Sequence, residues 1–165
     1  MNRKKTLSLA YSAAIAAIYV ALTMLVAPIA FGPVQFRISE ALTILPFFTP
    51  VAIPGLFVGC LLANLLGSAA IWDVVFGSLA TLIGAVGTWL LRKHRRLACF
   101  PPIISNTLII PWVLRYVYGE AALIPYLMFT VGVGEILAIG VLGNLLLTGL
   151  MPYRDVLFGK LHRTN

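Results

Sequence analysis

Ten of the twelve basic residues of this chain fall in three clusters, and long stretches between them carry no charge at all. Arg3, Lys4 and Lys5 precede the first apolar run; Arg92, Lys93, Arg95 and Arg96 separate two later ones; Arg154, Lys160 and Arg163 follow the last. Charge-free runs cover 6–31, 41–72, 74–91, 97–114, 121–134 and 136–153. An apolar segment of about 20 residues crosses a bilayer as a helix, because the helix satisfies its own backbone polar groups where no water can. With 61% hydrophobic and 10% charged residues, the 165-residue chain is too apolar for one small soluble core. The expected fold class is an all-α membrane protein, a six-helix transmembrane bundle forming one integral domain over 1–165.

Lys and Arg concentrate in cytoplasmic loops. An even number of spans between clusters puts all three in the cytoplasm, together with the N- and C-termini, and leaves only Arg37 and Arg115 for the other side. Helices are expected over 7–30, 39–49, 51–67, 73–91, 98–118 and 121–149. The 41–72 run is short for two spans and is broken by Pro46, Pro50 and Pro54. It reads as two short helices meeting at a proline-rich turn that need not reach the inner headgroups. Short or Pro/Gly-interrupted segments are where transporters build binding sites. The start of the chain has the flavour of a secretory leader, but its apolar run is long for one and Ala27-Pro28 is a poor cleavage context, so a retained first helix is expected. The net charge of +7 is accounted for by anionic lipid headgroups of the bilayer, without a nucleic-acid partner.

Catalysis has no foothold in the motifs. The sequence has no GxxxxGK[ST] loop, no HExxH and no GxSxG. Cys60 and Cys99 fall on incompatible sides for a disulfide and lack CxxC spacing, and His94 and His162 sit in basic segments. The expectation is a protein that is not an enzyme and holds no cofactor or metal, with ATP entering only through partner subunits.

What remains is a small polar set inside an apolar body. Glu40 opens the second segment, Asn64 closes the third, Trp72 and Asp73 begin the fourth, Arg115 and Tyr116 end the fifth, and Glu135 lies near the middle of the sixth. All converge on the outer half. A carboxylate at mid-depth is costly, so Glu135, flanked by Gly132 and Gly134, reads as functional. Arg37 joins the candidate binding set, although Arg37 and Arg115 also read as ion-pair partners of Glu40 or Glu120. Asn106 and Asn144 fall toward the inner half, where an interhelical hydrogen bond is the economical account. On the first helix Ala13, Ala17 and Ala21 repeat one turn apart, beside Ala10 and Ala14. Such a stripe lets another helix approach closely, either within the bundle or from a second membrane subunit.

Four stretches carry a family resemblance: Phe31-Gly32-Pro33-Val34-Gln35-Phe36-Arg37-Ile38-Ser39-Glu40-Ala41-Leu42; Ile53-Pro54-Gly55-Leu56-Phe57-Val58-Gly59-Cys60 with Asn64; Trp72-Asp73-Val74-Val75-Phe76-Gly77-Ser78-Leu79; and Gly132-Val133-Gly134-Glu135. Together they resemble the QueT family, substrate-binding S components of energy-coupling factor (ECF) transporters assigned to queuosine-precursor uptake. The resemblance covers almost the whole chain; the basic loop 92–98 and the tail after Tyr153 are generic. It implies a multi-pass protein of the cell inner (cytoplasmic) membrane that captures a 7-deazaguanine base. Its implied partners are a transmembrane coupling subunit, met through the alanine stripe, and two ATPase subunits. It also implies that the Arg37 to Glu40 connection lids the site.

The residues suit that ligand chemically. A guanine-like edge offers adjacent N–H donors to a carboxylate, an Asn completes the remaining contacts, and an aromatic ring stacks on the base. Glu40, Asp73, Glu135, Asn64 and Trp72 supply such a set. A second carboxylate suits a precursor bearing an ammonium group, whereas a nitrile leaves it unpaired. The alternatives are an S component for another vitamin-like solute, a membrane scaffold that binds no solute, and a stand-alone carrier driven by protons through Glu135.

Overall fold

In the computed structural model the described residues are 3–30, 36–67 and 70–159, and they are helical throughout apart from short connections. Phe31 to Gln35 of the first motif, and Lys160, His162 and Arg163 of the last basic cluster, lie outside them. Helix α1 (Arg3–Leu25) and the short α2 (Ala27–Ala30) lead into a 3-10 helix (Ile38–Phe47). Then come α3 (Ala52–Leu66), α4 (Ile71–Leu90) and α5 (Phe100–Tyr116). The last rod is composite: α6 (Ile124–Glu135), a π-helical stretch (Ile136–Gly143), α7 (Asn144–Leu150), a turn (Met151–Tyr153) and α8 (Arg154–Leu157). Among the described residues three helices, Lys4–Leu25, Ile71–Leu90 and Ile124–Leu157, are long and apolar enough to cross a membrane.

The distribution of side chains is that of a protein solvated by lipid. Arg37, Glu40, Asn64, Asp73, Asn106 and Glu135 are buried, while Leu25, Leu66, Ile71, Phe129 and Leu145 are 65 to 76% exposed. Water would impose the opposite arrangement.

The second segment differs from expectation in kind. Pro46 lies inside it, and an α-helical proline loses a hydrogen bond and clashes with the carbonyl one turn back. The chain adopts the tighter 3-10 winding instead. Ten residues at 2.0 Å per residue span about 20 Å, a third more than an α-helix of that length. Ser39 to Pro46 are all buried, and the segment packs against α1, α3, α4, α7 and the π-helical stretch. It is the central post of the bundle. Its proline-rich turn does reach the basic end: Phe48 stacks on Phe158 with ring centroids 5.2 Å apart, and Ser12 Oγ donates to Val51 O at 2.7 Å.

Around this post α1 packs on α3, α3 on α4, α4 on α5 and α5 on α6. Glycine sets the closest approach. A Cβ at Gly55 would stand 2.5 Å from Ser12 O, and one at Gly59 would stand 2.8 Å from the Tyr19 Cβ, so α1 and α3 meet backbone to backbone. Tyr11 Oη donates to Leu157 O at 2.7 Å, and Arg95 Nη2 donates to Thr148 Oγ1 at 2.6 Å. These contacts gather the start of α1, the loop of Arg92 to Arg96 and Arg154 at one end of the bundle. Arg37, Asp73 and Tyr118 stand at the other.

Candidate ligand-binding site

Glu40, near the start of the central 3-10 helix, is 1% exposed and is met from several sides. Tyr19 of α1 donates its hydroxyl to Oε1, and the Thr81 hydroxyl of α4 lies 3.5 Å from the same oxygen. Asn106 of α5 is within hydrogen-bonding reach of Glu40 and also of Glu135, where α6 passes into the π-helical stretch. One amide thus lies beside two carboxylates contributed by different elements. A π-helical insertion shifts the side chains after it relative to those before, and such insertions recur at functional sites.

A second group adjoins the first through Cys60. Its Sγ lies 3.3 Å from Thr81 Oγ1 and 3.7 Å from Asn64 Nδ2. Asn64 Nδ2 also donates to the Asp73 carbonyl at 3.4 Å, pinning the end of α3 to the start of α4. Gly77 makes room here: a Cβ would stand 3.0 Å from Asn64 Nδ2 and 3.3 Å from Asp73 Oδ1. Asp73 Oδ2 accepts a hydrogen bond from Tyr118 Oη at 2.9 Å and lies 3.8 Å from Arg37 Nη2. Arg37 Nε donates to Ala30 O at 3.2 Å, and the Ala70 N–H donates to Tyr118 Oη at 3.2 Å. Burial first, and then the neighbouring carboxylate, raise the Tyr118 phenol above its ordinary pKa and keep it a donor at neutral pH.

The unpaired atoms give the site its chemistry. Glu40 Oε2, Asn64 Oδ1, Asp73 Oδ1 and Glu135 Oε2 are buried and have no hydrogen-bond partner among the described residues; Thr107 Oγ1 shares that state. A buried acceptor left unpaired costs about 1–3 kcal/mol, and native proteins keep few of them. Here four acceptor oxygens stand in one connected polar body. Three carboxylates face one guanidinium within it, so the arrangement complements a ligand rich in N–H donors and tolerant of positive charge.

Of the residues singled out in the sequence, Arg37, Glu40, Asn64, Asp73 and Glu135 enter this body. Trp72 does not. It is 56% exposed and stacks on Phe76 at 6.0 Å on the outer face of α4, because the 100° step of a helix turns it away when its neighbour Asp73 points inward. The aromatic that enters it is Tyr19, fully enclosed on α1. Arg37 pairs with Asp73 rather than Glu40, and Arg115 donates to the backbone oxygen of Glu120 at 2.6 Å rather than to its carboxylate. Asn106, expected to make an interhelical hydrogen bond toward the inner half, lies within reach of two carboxylates that other elements contribute. Asn144 donates locally to Gly140 O at 2.8 Å. Sequence reasoning misses Tyr19, Cys60, Thr81 and Tyr118. Two of them carried a readable signal, since Thr81 follows Asp73 and Gly77 at one-turn steps and Cys60 precedes Asn64 by one turn. On α1 the inner face is Ser12, Ala16 and Tyr19, whereas Ala13, Ala17 and Ala21 are exposed.

A sequence model of the family described as QueT transporter matches residues 9–152. A curated relative, the queuosine precursor transporter QueT of Lactococcus lactis subsp. cremoris (strain MG1363), is 39% identical over 85 residues. The chain spans about half the length of that relative, the aligned part being 50% of each protein. No solved structure matches the chain.

Proposed function

Because the chain belongs to the QueT transporter family, we propose that it is the solute-capturing subunit of an ECF-type importer in the cell inner membrane, and that its solute is a 7-deazaguanine precursor of queuosine. The observation that carries this reading is the set of four unpaired acceptor oxygens on Glu40, Asn64, Asp73 and Glu135. A deazaguanine base presents N–H groups at the ring nitrogens and the exocyclic amine, so buried acceptors gain donors when the base binds. The excess of carboxylates over guanidinium favours the aminomethyl form, whose ammonium would offset negative charge that the nitrile form would leave uncompensated.

In this reading the Arg37–Asp73–Tyr118 group closes the mouth opposite the basic end, and the basic end faces the cytoplasm by the usual bias of Lys and Arg. The exposed Ala13, Ala17 and Ala21 form the face for a transmembrane coupling subunit, which in turn engages two ATPases. The protein itself contributes capture and release.

Isothermal titration of the detergent-purified protein with queuine and with the aminomethyl and cyano deazaguanines tests the proposal, alongside Glu40→Gln and Glu135→Gln. Tight binding of one of them, lost in a carboxylate variant, is expected. Absence of heat with all three would sink the deazaguanine assignment and redirect the search to other vitamin-like solutes.

A further inference from the structure

At the basic end a cavity of about 390 Å³ opens between the turn after the 3-10 helix, the end of α4 and the residues around α8. Its walls are apolar, formed by Phe48, Trp89, Met151 and Phe158, and its rim carries Arg92, Arg154 and Asp155. Arg92 is not loose. Its guanidinium lies 4.4 Å from the Trp89 ring centroid, and Nη1 donates to Trp89 O at 3.0 Å. Arg154 Nε stands 3.6 Å from Asp155 Oδ1, with both side chains largely exposed.

Two features distinguish this from an ordinary basic loop. Trp89 lies in the last turn of one membrane span and Met151 follows α7 near the end of another, so the cavity stands at the level where a bilayer turns from acyl chain to headgroup. Its floor is also built by separate elements and locked by the parallel stack of Phe48 on Phe158. An apolar wall under a cationic rim is complementary to one molecule always present at that depth, an anionic phospholipid.

We propose that this cavity binds the headgroup of an anionic phospholipid. The phosphate sits between Arg92 and Arg154, and the first methylenes of an acyl chain lie on Trp89 and Met151. The guanidinium of Arg92 takes the phosphate in a forked contact, while Asp155 competes for Arg154. A free inorganic phosphate would share the arginines but gain nothing from the apolar wall. The site is independent of the solute that the opposite end captures.

The test uses the full chain in lipid nanodiscs, in a Trp72→Phe and Trp112→Phe background that leaves Trp89 as the reporting tryptophan. Quenching of Trp89 by phosphatidylglycerol brominated near the headgroup is compared with quenching by equally brominated phosphatidylcholine at equal mole fraction. A preference for the anionic lipid is expected, falling about fivefold for each of Arg92→Gln and Arg154→Gln. Asp155→Asn, an exposed change that leaves the fold alone, is expected to strengthen it. Equal quenching by the two lipids, or a preference that survives loss of both arginines, would overturn the proposal. Abolition of the preference by inorganic phosphate at low millimolar concentration would reassign the site to a free anion and would equally overturn it.

Discussion

Arg37 and Arg92 both stand at ends of membrane helices, yet Arg37 is 4% exposed and held against the Asp73 carboxylate, whereas Arg92 is exposed and lies over a tryptophan ring. The same contrast separates the two ends of the bundle. At the Arg37 end charge is sparse and enclosed, and each ionic group is tied to others: Asp73 to Tyr118 and Arg37, and deeper in, Glu40 to Tyr19 and Asn106. At the Arg92 end charge is abundant and exposed, and Arg95 bonds a hydroxyl rather than an acid. An enclosed charge has surrendered its hydration, so the protein must repay it through fixed partners or a ligand. An exposed charge keeps water and lipid headgroups within reach and needs no fixed acidic partner.

The sharpest way to break this contrast is to remove a partner at the enclosed end. Arg37→Met should cost about 3 kcal/mol of stability by stranding Asp73, and adding Asp73→Asn should restore part of it. Cys60 and Cys99 are both buried, so a thiol-reactive dye reports the unfolding directly. If the single variant melts with the parent, the ion pair does not hold that end together.

Glu40→Gln and Glu135→Gln come next. Each should weaken binding of a deazaguanine about 10- to 100-fold in titration, because the amide puts a donor where the carboxyl offered an acceptor. A similar loss in both would fit their shared Asn106. A loss in one alone would assign the ligand to that carboxylate. Tyr118→Phe should be milder, near 1 kcal/mol of stability, because Asp73 keeps Arg37 when the phenol is gone. Arg95→Gln should leave the melting midpoint where it was. A shift as large as that of Arg37→Met would erase the distinction between the ends.

Much of the site was legible because the membrane makes polarity rare. In an apolar chain Glu40, Asn64, Asp73 and Glu135 stand out by type alone, and their burial follows from the cost of facing lipid. Tyr19 and Thr81 do not stand out, since hydroxyl residues are common in membrane helices and turn polar contacts inward or outward with equal ease. Trp72 and Asp73 are neighbours in the sequence but lie on opposite faces of α4, and only the helical step tells them apart. Depth along α5 says nothing of which helices stand opposite Asn106.

The spacing of charge by itself determined that this chain is a bundle of membrane helices with most of its basic residues at one end, because transfer of an ionised group into hydrocarbon costs more than any packing preference returns. It also marked the alanines of α1 as a close-approach surface. Only the tertiary structure decided that Ser12 and Ala16 meet Gly55 and Gly59 while Ala13, Ala17 and Ala21 remain outside. It alone wound the proline-broken segment into a 3-10 post at the centre of the bundle and brought Asn106 beside two carboxylates. The reason is physical. Solvation acts on each residue separately and can be read one position at a time, whereas packing and hydrogen bonding act between residues whose meeting depends on the whole arrangement of helices.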